Sequence, residues 1–418
     1  MRSIYTFGIY LYGFVMNLAA RFHPKARKWV KGRRNWQQQL AKAVGTGQQW
    51  IWFHCASLGE FEQGRNLIEA IKSQYPHYRL LVSFFSPSGY EVRKNYAHAD
   101  YVCYLPLDTP ANARQFLDIV QPRWAAFIKY ELWLNLLEEL AARKIPHILV
   151  SARMQPGSPF LKSWLAPLYR RAFNNMKAIF TQDEATAQLL ARIAPAPHIQ
   201  AVSDTRYDRV MANKAEFKPI PEIAAFKGDR LCVLAGSSWY RGEQVLLAAL
   251  TPLWEAHNIC LIIAPHEIHH DRIHQWMELY PGISLKYSEI DQLHAGHRML
   301  WIDNVGMLAR LYHYADIAYV GGGWKNGLHN ILEAAVFGCP VIIGPRYDKF
   351  PEAVELIAEG GAFSVDSIAA MQQCLLRLIT QEELRHQIKR INEGFVAQRA
   401  GATARILQWC QQQQLLQA

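Results

Sequence analysis

Residues 316–350 read DIAYVGGGWKNGLHNILEAAVFGCPVIIGPRYDKF, and this stretch decides the fold. Two apolar runs, 317–321 and 340–343, are each followed by glycine and separated by a helical pattern opening near His329-Asn330. Continuous apolar strands joined by a crossover helix belong to a parallel sheet covered on both faces. Gly321, Gly322, Gly323 and Gly327 would let backbone approach a ligand, and N–H groups opening the helix would face an anion. Glu333 falls one helical turn after Asn330, where a carboxylate can accept hydrogen bonds from two sugar hydroxyls. Phosphate first and ribose one turn later is the order a nucleotide-sugar site requires. An ordinary strand-turn-helix packing unit would show the same pattern and stands as the alternative.

Outward from this stretch, strands alternate with helices twice over. Strands are predicted at 50–54, 80–85, 101–105, 124–128, 147–151 and 178–181, and again at 231–235, 259–264, 299–302, 317–321, 340–343 and 362–365. Amphipathic helical spacing separates them, as in Phe61, Leu67, Ile68 and Ile71. The class is α/β, with two doubly wound Rossmann-like halves. Lys218-Pro219-Ile220-Pro221 interrupts the pattern and places a linker at 211–226. The expected organisation is a hydrophobic and basic segment over 1–47, a first domain over 48–210, a second over 227–385, and a closing helix over 386–418. A chain of 418 residues exceeds the ~250–300 at which one core stops growing.

Charge is concentrated at the start. No acidic residue precedes Glu60, whereas nine Lys or Arg do, against a net charge of +10 for the whole chain. Residues 4–20 carry no charge and are rich in Tyr, Phe, Leu and Val; Arg21, Lys25, Arg27, Lys28, Lys31, Arg33 and Arg34 follow, interleaved with Phe22, Trp29 and Trp36. A nucleic-acid arm would explain the charge but not the apolar stretch. A cleaved signal peptide implies export, and seven scattered cysteines without a CxxC pair fit a reducing compartment instead. A membrane-associated helix explains both features, because basic residues on the cytoplasmic side and aromatic residues at the interface flank membrane segments. Seventeen residues lie at the short limit for spanning, so both a spanning and an interfacial helix are open.

Ligands of parallel sheets bind beyond the carboxyl ends of the strands. That rule selects Glu60 after the first strand, Glu131 in Tyr130-Glu131-Leu132-Trp133, and Arg153 in Ser151-Ala152-Arg153. Two carboxylates and a cation suit general-base chemistry beside an anionic substrate. A carboxylate opening a helix, such as Glu60, is also common for the macrodipole alone, which lowers its pKa. His266-Glu267-Ile268-His269-His270 formally matches the zinc motif H-E-x-x-H. It follows a buried strand and Pro265, so its first residues are expected in a loop, and no metal site is assigned.

These residues together resemble the 3-deoxy-D-manno-octulosonic acid (Kdo) transferases of lipopolysaccharide synthesis over nearly the whole chain. The resemblance rests on the basic start, HCASLGEFEQG, KYELWLNLL, SARM, TRYD, AGSSWYRGEQ, the IIAP turn, IDNVGMLARLYHYADIAYVGG and GLHNILEAAVFGCPVIIGP. It implies a GT-B glycosyltransferase with two facing Rossmann-like domains and an active site in the cleft. The implied activity is inverting transfer of Kdo from CMP-Kdo to a lipid A precursor, without metal or other cofactor. The implied setting is the cytoplasmic side of the inner membrane. Glu60 matches the general base, and Glu131 and Arg206 match positions that stabilise the transition state, although lysine usually stands where Arg206 does. Asn330, Ile331, Leu332 and Glu333 match the cytidine ribose and phosphate segment, and Val305-Gly306-Met307 a nucleotide-contacting turn that usually reads Met-Gly-Glu. Pro265-His266 departs from the family's Pro-Arg-His and so lacks a fork donor to phosphate, for which His269, His270 or Arg272 could substitute.

Rival readings make different demands. A UDP-sugar-dependent GT-B enzyme, or an epimerase of that fold, needs the second half but not the basic start. A dinucleotide-dependent dehydrogenase needs G-x-G-x-x-G after the first strand, where CASLGE stands. An inactive membrane scaffold leaves the two carboxylates without a purpose.

Overall fold

The central strand of the first sheet, Trp50–Cys55 (β1), is buried at every position. It pairs in parallel with Arg79–Phe84 (β2) on one side and Trp124–Ile128 (β4) on the other. With Tyr101–Tyr104 (β3), His147–Ala152 (β5), Ala178–Thr181 (β6) and Ile199–Ala201 (β7) the order is β3-β2-β1-β4-β5-β6-β7. Side-chain alternation divides β1 between two layers. Ile51, Phe53 and Cys55 join Phe61, Leu67 and Ile68 of the helix Leu58–Gln74, whereas Trp50 and Trp52 pack with Phe116, Leu117 and Leu137.

The same logic repeats further along. Leu231–Ser238 (β8), Ile259–Pro265 (β9), Ser284–Lys286 (β10), Met299–Trp301 (β11), Ile317–Val320 (β12), Val341–Ile343 (β13) and Ala362–Ser364 (β14) form a second parallel sheet. Its order is β10-β11-β9-β8-β12-β13-β14. Each sheet therefore has a switch point, at β1/β4 and at β8/β12, where successive connections leave in opposite directions and a crevice opens at the carboxyl ends. The two edge strands missed in the sequence, Ile-Gln-Ala and Ser-Leu-Lys, are too short to make an apolar run.

This computed structural model describes residues 2–45, 47–162, 165–195 and 198–417. The chain divides into Met1–Arg209 with Ala400–Ala418, and Val210–Arg399. Several boundaries differ from those expected. The linker at 211–226 is largely helical, in Thr205–Ala215 and Pro221–Lys227, because Pro219 lies between the two helices and Pro221 sits at a helix start rather than inside one. The closing helix over 386–418 is two helices: Glu382–Arg399 lies in the second unit and Ala402–Gln412 returns to the first. Gly401, at a positive φ, separates them.

The basic start is helical and packed rather than a separate tether. Arg2–Ala19 (α1), Pro24–Lys31 (α2) and Trp36–Val44 (α3) bury Trp29, Leu40 and Val44 against the first unit. Gly13 lets α1 approach Leu107, whose side chain fills the space a Cβ would need. Ile4, Phe7, Leu11, Phe14, Val15 and Leu18 all remain exposed. Among the described residues, no helix is long and apolar enough to cross a membrane.

Candidate active site

At the first switch point, β1 delivers Glu60 and β4 delivers Glu131. Ser57 is the extended N-cap of Leu58–Gln74 (α4), and Glu60 turns back to accept the Ala56 N–H at 2.5 Å. The macrodipole argument alone would lower this acid's pKa. Instead burial, followed by the charge of Glu131, pushes Glu60 up to about 7, outweighing its backbone hydrogen bonds and Lys129. A carboxylate near neutrality is matched to general-base work.

Glu131 occupies an irregular stretch after β4, where Lys129 has a positive φ. Its Oε2 receives the Trp133 indole N–H at 2.7 Å and lies 3.3 Å from His54 Nε2. The same indole nitrogen is 2.9 Å from His54 Nε2, and His54 Nδ1 is 2.9 Å from Ser83 Oγ. Trp52 donates to that hydroxyl at 2.8 Å. A buried polar chain thus runs from the sheet core to one oxygen of Glu131. His54, Ser83 and Trp133 had no assigned role in the sequence; their signal was position, since His54 and Trp133 stand in or just beyond the strands at the switch point and Ser83 on the strand next to β1.

Arg206 opens the helix Thr205–Ala215, and its guanidinium is held by Asp204 through Nε at 2.9 Å and Nη2 at 2.8 Å. Thr205 Oγ1 donates to the Gln63 carbonyl of α4 and is 2.9 Å from Ser151 Oγ. The helix carrying Arg206 is therefore fastened to the helix carrying Glu60. Arg153 lies within electrostatic reach of Tyr130, next to Glu131.

The second switch point gathers a different chemistry. Trp239 follows β8, His266 follows β9, and His329 lies in the loop after β12. The His266 and His329 rings are 4.2 Å apart, Trp239 lies 4.7 Å from His266, and its indole N–H donates to His329 Nε2 at 2.9 Å. Burial, then the neighbouring His266, depresses His329 to about 4. Nearby, Trp239, Tyr240, Arg241, Trp324 and Lys325 line a pocket of about 390 Å³, within the size range of small-ligand sites. The sequence pointed to AGSSWYRGEQ only as a landmark, without giving those side chains a role.

Three expectations for this half need correction. The helix predicted from His329-Asn330 is only Leu332–Ala335, so it offers no extended run of N–H groups; Asn330 Oδ1 itself accepts the Leu332 N–H at 3.3 Å, and Gly338 at positive φ ends the turn. The glycines serve the protein's own backbone: a Cβ on Gly321 would strike Ser237, and one on Gly322 would strike the Gly327 carbonyl. Ile331 and Leu332 are fully buried, leaving only their main chain for a ligand. Asn330 Nδ2 does meet Glu333 Oε1, at 3.2 Å. Val305 is 87% exposed in the turn at Gly306 (positive φ), and Met307 is buried.

The H-E-x-x-H match dissolves in three dimensions. Helix His270–Leu279 begins at the last histidine, so His266 and Glu267 precede it and do not share its face. Among the described residues, no three His, Cys, Asp or Glu side chains group as metal ligands. Pro265 ends β9, and Arg272 is committed to the buried Glu243, 3.7 Å away, and to the Glu267 carbonyl. Of the substitutes considered for the missing phosphate arginine, Arg272 thus already has an acidic neighbour.

Comparison with known proteins places the chain among similar sequences and folds. A family model described as 3-deoxy-D-manno-octulosonic-acid transferase (kdotransferase) matches residues 30–209, the part that carries Glu60, Glu131 and Arg206. A 3-deoxy-D-manno-octulosonic acid transferase of Haemophilus influenzae is 27% identical over 395 residues, covering 90% of this chain and 92% of the relative. The transferase of that name from Bordetella pertussis is 25% identical over 373 residues, covering 85% and 86%. These matches support the Kdo transferase family, with residues 30–209 similar to its domain.

Solved structures fix the architecture of the chain. UDP-GlcNAc 2-epimerase from Neisseria meningitidis superposes with a TM-score of 0.63 at 14% identity, covering 86% of this chain and 99% of the epimerase. A glycosyltransferase from Rickettsia africae gives 0.55 at 13% identity, covering 87% and 97%. The fold is two-domain GT-B.

Proposed function

We propose that the protein transfers Kdo from CMP-Kdo to a lipid A precursor in lipopolysaccharide synthesis, with inversion at the anomeric carbon. The observation that carries this reading is Glu60, half-buried beside Glu131 and raised to about 7 within the segment matched by the family model. Its carboxylate takes the proton from an acceptor hydroxyl as that oxygen bonds to the anomeric carbon. The bond from that carbon to the phosphate oxygen breaks, and CMP leaves with the electron pair. The cations Arg241 and Lys325 at the second-sheet pocket suit the phosphate of a nucleotide-sugar donor. Asn330 and Glu333 suit the ribose hydroxyls.

The acceptor follows from the start of the chain. One face of α1 is apolar and exposed, and α2 adds Lys25, Arg27, Lys28 and Lys31 without an acidic residue. An amphipathic helix with a basic neighbour suits an anionic membrane surface, lying in the interface rather than spanning it. Seven free cysteines, mostly buried, fit the cytoplasmic side of the inner membrane.

The test is incubation of the full chain with CMP-Kdo and a lipid A precursor in detergent micelles, followed by mass spectrometry. Lipid product one or more Kdo residues heavier, with matching CMP release, is expected. Transfer only from a UDP-sugar would overturn the donor assignment.

A further inference from the structure

α1 has two faces, and its inner face ends at Glu131. Tyr5 Oη donates to Asp108 Oδ2 at 2.7 Å and accepts the Leu134 N–H at 3.3 Å. Asp108 is buried, and its two oxygens receive the N–H groups of Asn135 and Leu136 at 3.0 and 2.9 Å. Arg2 and Thr6 reach the Asn135 side chain at 3.1 and 3.3 Å. Apart from the Tyr5–Asp108 bond, these bonds fall on the first turn of the helix Leu134–Ala142, directly after Trp133. Those are the free N–H groups of a helix start, and here they are capped from a residue of α1 and from the carboxylate that α1 holds.

A second path arrives from aromatic rings. Tyr12, two helical turns beyond Tyr5 and still 40% exposed, packs the edge of its ring on Trp29 at 5.7 Å and lies on Phe85 at 6.0 Å. Arg33 lies over the Trp29 ring at 3.9 Å and donates to the Phe85 carbonyl at 2.7 Å. Phe85 in turn packs on Trp133 at 4.5 Å. The Trp133 indole N–H is the donor that holds Glu131 Oε2. Two independent routes from one helix therefore converge on residues 131–136, the irregular stretch 131–133 and the first turn of the helix that follows it.

We propose that the N-terminal helix is a working part of the active site, with Tyr5 and Tyr12 as positioning residues that hold Glu131 through Leu134 and through Phe85 and Trp133. This rests on the transferase reading for its effect on turnover, but not for its effect on the loop. It also means that seating α1 on a membrane and ordering the catalytic loop are properties of one element. The outer face meets lipid and the inner face sets the carboxylate, so an acceptor in the membrane finds the site assembled where α1 is held.

The experiment uses full-length Tyr12→Leu, Tyr12→Phe, Tyr5→Phe and Trp133→Phe proteins in detergent micelles, where attachment to a bilayer does not limit access. Hydrogen exchange of the 131–136 amides is read first. Faster exchange is expected at Leu134 in Tyr5→Phe and across the loop in Tyr12→Leu, with Tyr12→Phe restoring wild-type rates because the ring, not the hydroxyl, makes the contact. In the transfer assay, Tyr12→Leu and Trp133→Phe should lose about tenfold in kcat, with KM for CMP-Kdo within about twofold, as a group acting at the transition state requires. Unchanged exchange in both tyrosine variants overturns the proposal, as does faster exchange with wild-type kcat. Should the wild type transfer no Kdo at all, the transferase reading falls, while exchange still decides whether α1 holds the loop. Trp133→Phe leaves α1 intact, so a folding defect in a tyrosine variant does not shield the proposal.

Discussion

Glu60 and Glu131 repel each other across the β1/β4 switch point, and that repulsion, added to burial, keeps Glu60 near neutrality. Removing the Glu131 charge should lower the Glu60 pKa. If Glu60 is the base, the acidic limb of kcat/KM reports its ionisation and should lie near pH 7 in the wild type. In Glu131→Gln the limb should move to lower pH while the maximum falls. A pH–rate profile of the two proteins checks this, and an unmoved limb would assign it to another group.

Glu60→Gln separates chemistry from folding. Transfer should fall by roughly a hundredfold or more, the scale of a lost general base, with donor affinity retained. The folded pKa of about 7 stands above the ordinary 4.5, so the stabilising contribution of the protonated form is present below 4.5 and lost as pH rises through 7. Above that, the folded protein holds a half-buried charge beside Glu131. The glutamine variant should therefore be more stable than wild type at pH 8, by on the order of 2–3 kcal/mol, and show little difference near pH 4. Denaturant unfolding at the two pH values tests it; equal stability at both would show that Glu60 is not strained by its ionisation.

What the sequence revealed and what it hid follow from the range of the interactions. Buried strands such as Trp124–Ile128 and Ala178–Thr181 were legible to the residue, since an unbroken apolar run bounded by turns has few other uses. Glu60 and Glu131 were legible because a parallel sheet sends its site to the strand ends. The bonds joining Trp133, His54 and Ser83 cross 29–79 positions of sequence and leave no local pattern. Gly321 and Gly322 misled for a related reason: glycine signals close approach, but not whether a ligand or another stretch of backbone comes near. His329 was read as a helix start because the short turn after it shares helical spacing with a longer helix.

Glu333 and Asn330 touch at 3.2 Å, so each is already oriented by the other. If Glu333 receives ribose hydroxyls, Glu333→Ala loses a charge-assisted bond worth ~1.5–3 kcal/mol, which weakens CMP binding roughly ten- to a hundredfold. Calorimetry with CMP measures it. Unchanged affinity would remove Glu333 from the nucleotide site.

His329 should not act as a pH switch near neutrality. Its Nε2 accepts the Trp239 N–H, which needs the unprotonated ring, and burial beside His266 holds its pKa down at about 4. The contribution of this neutral ring to stability is complete above 6.5 and is lost as pH falls through about 4. In an NMR titration the His329 ring proton should stay flat from pH 8 to about 5.5 and move only toward pH 4. A midpoint near the unperturbed value of ~6.5 would mean that the Trp239 contact does not persist in solution.

The outer face of α1 gives the last prediction, because lipid attachment has two physically separable parts. Phe14 is 68% exposed and Ile4 73%, and neither belongs among the inner-face contacts made by Tyr5 and Tyr12. Burying such side chains in the acyl boundary is worth ~1.5–3 kcal/mol each, so Ile4→Ser with Phe14→Ser should weaken vesicle binding by at least about tenfold. That loss should be independent of salt. Replacing Lys25, Lys28 and Lys31 with glutamine should instead weaken binding to anionic vesicles by ~1 kcal/mol per charge, an effect that shrinks as salt screens the surface. Co-sedimentation with neutral and anionic vesicles, at low and high salt, distinguishes the two terms. Failure of the intact protein to bind anionic vesicles at low salt would refute the membrane-associated helix and leave the apolar face of α1 to another partner.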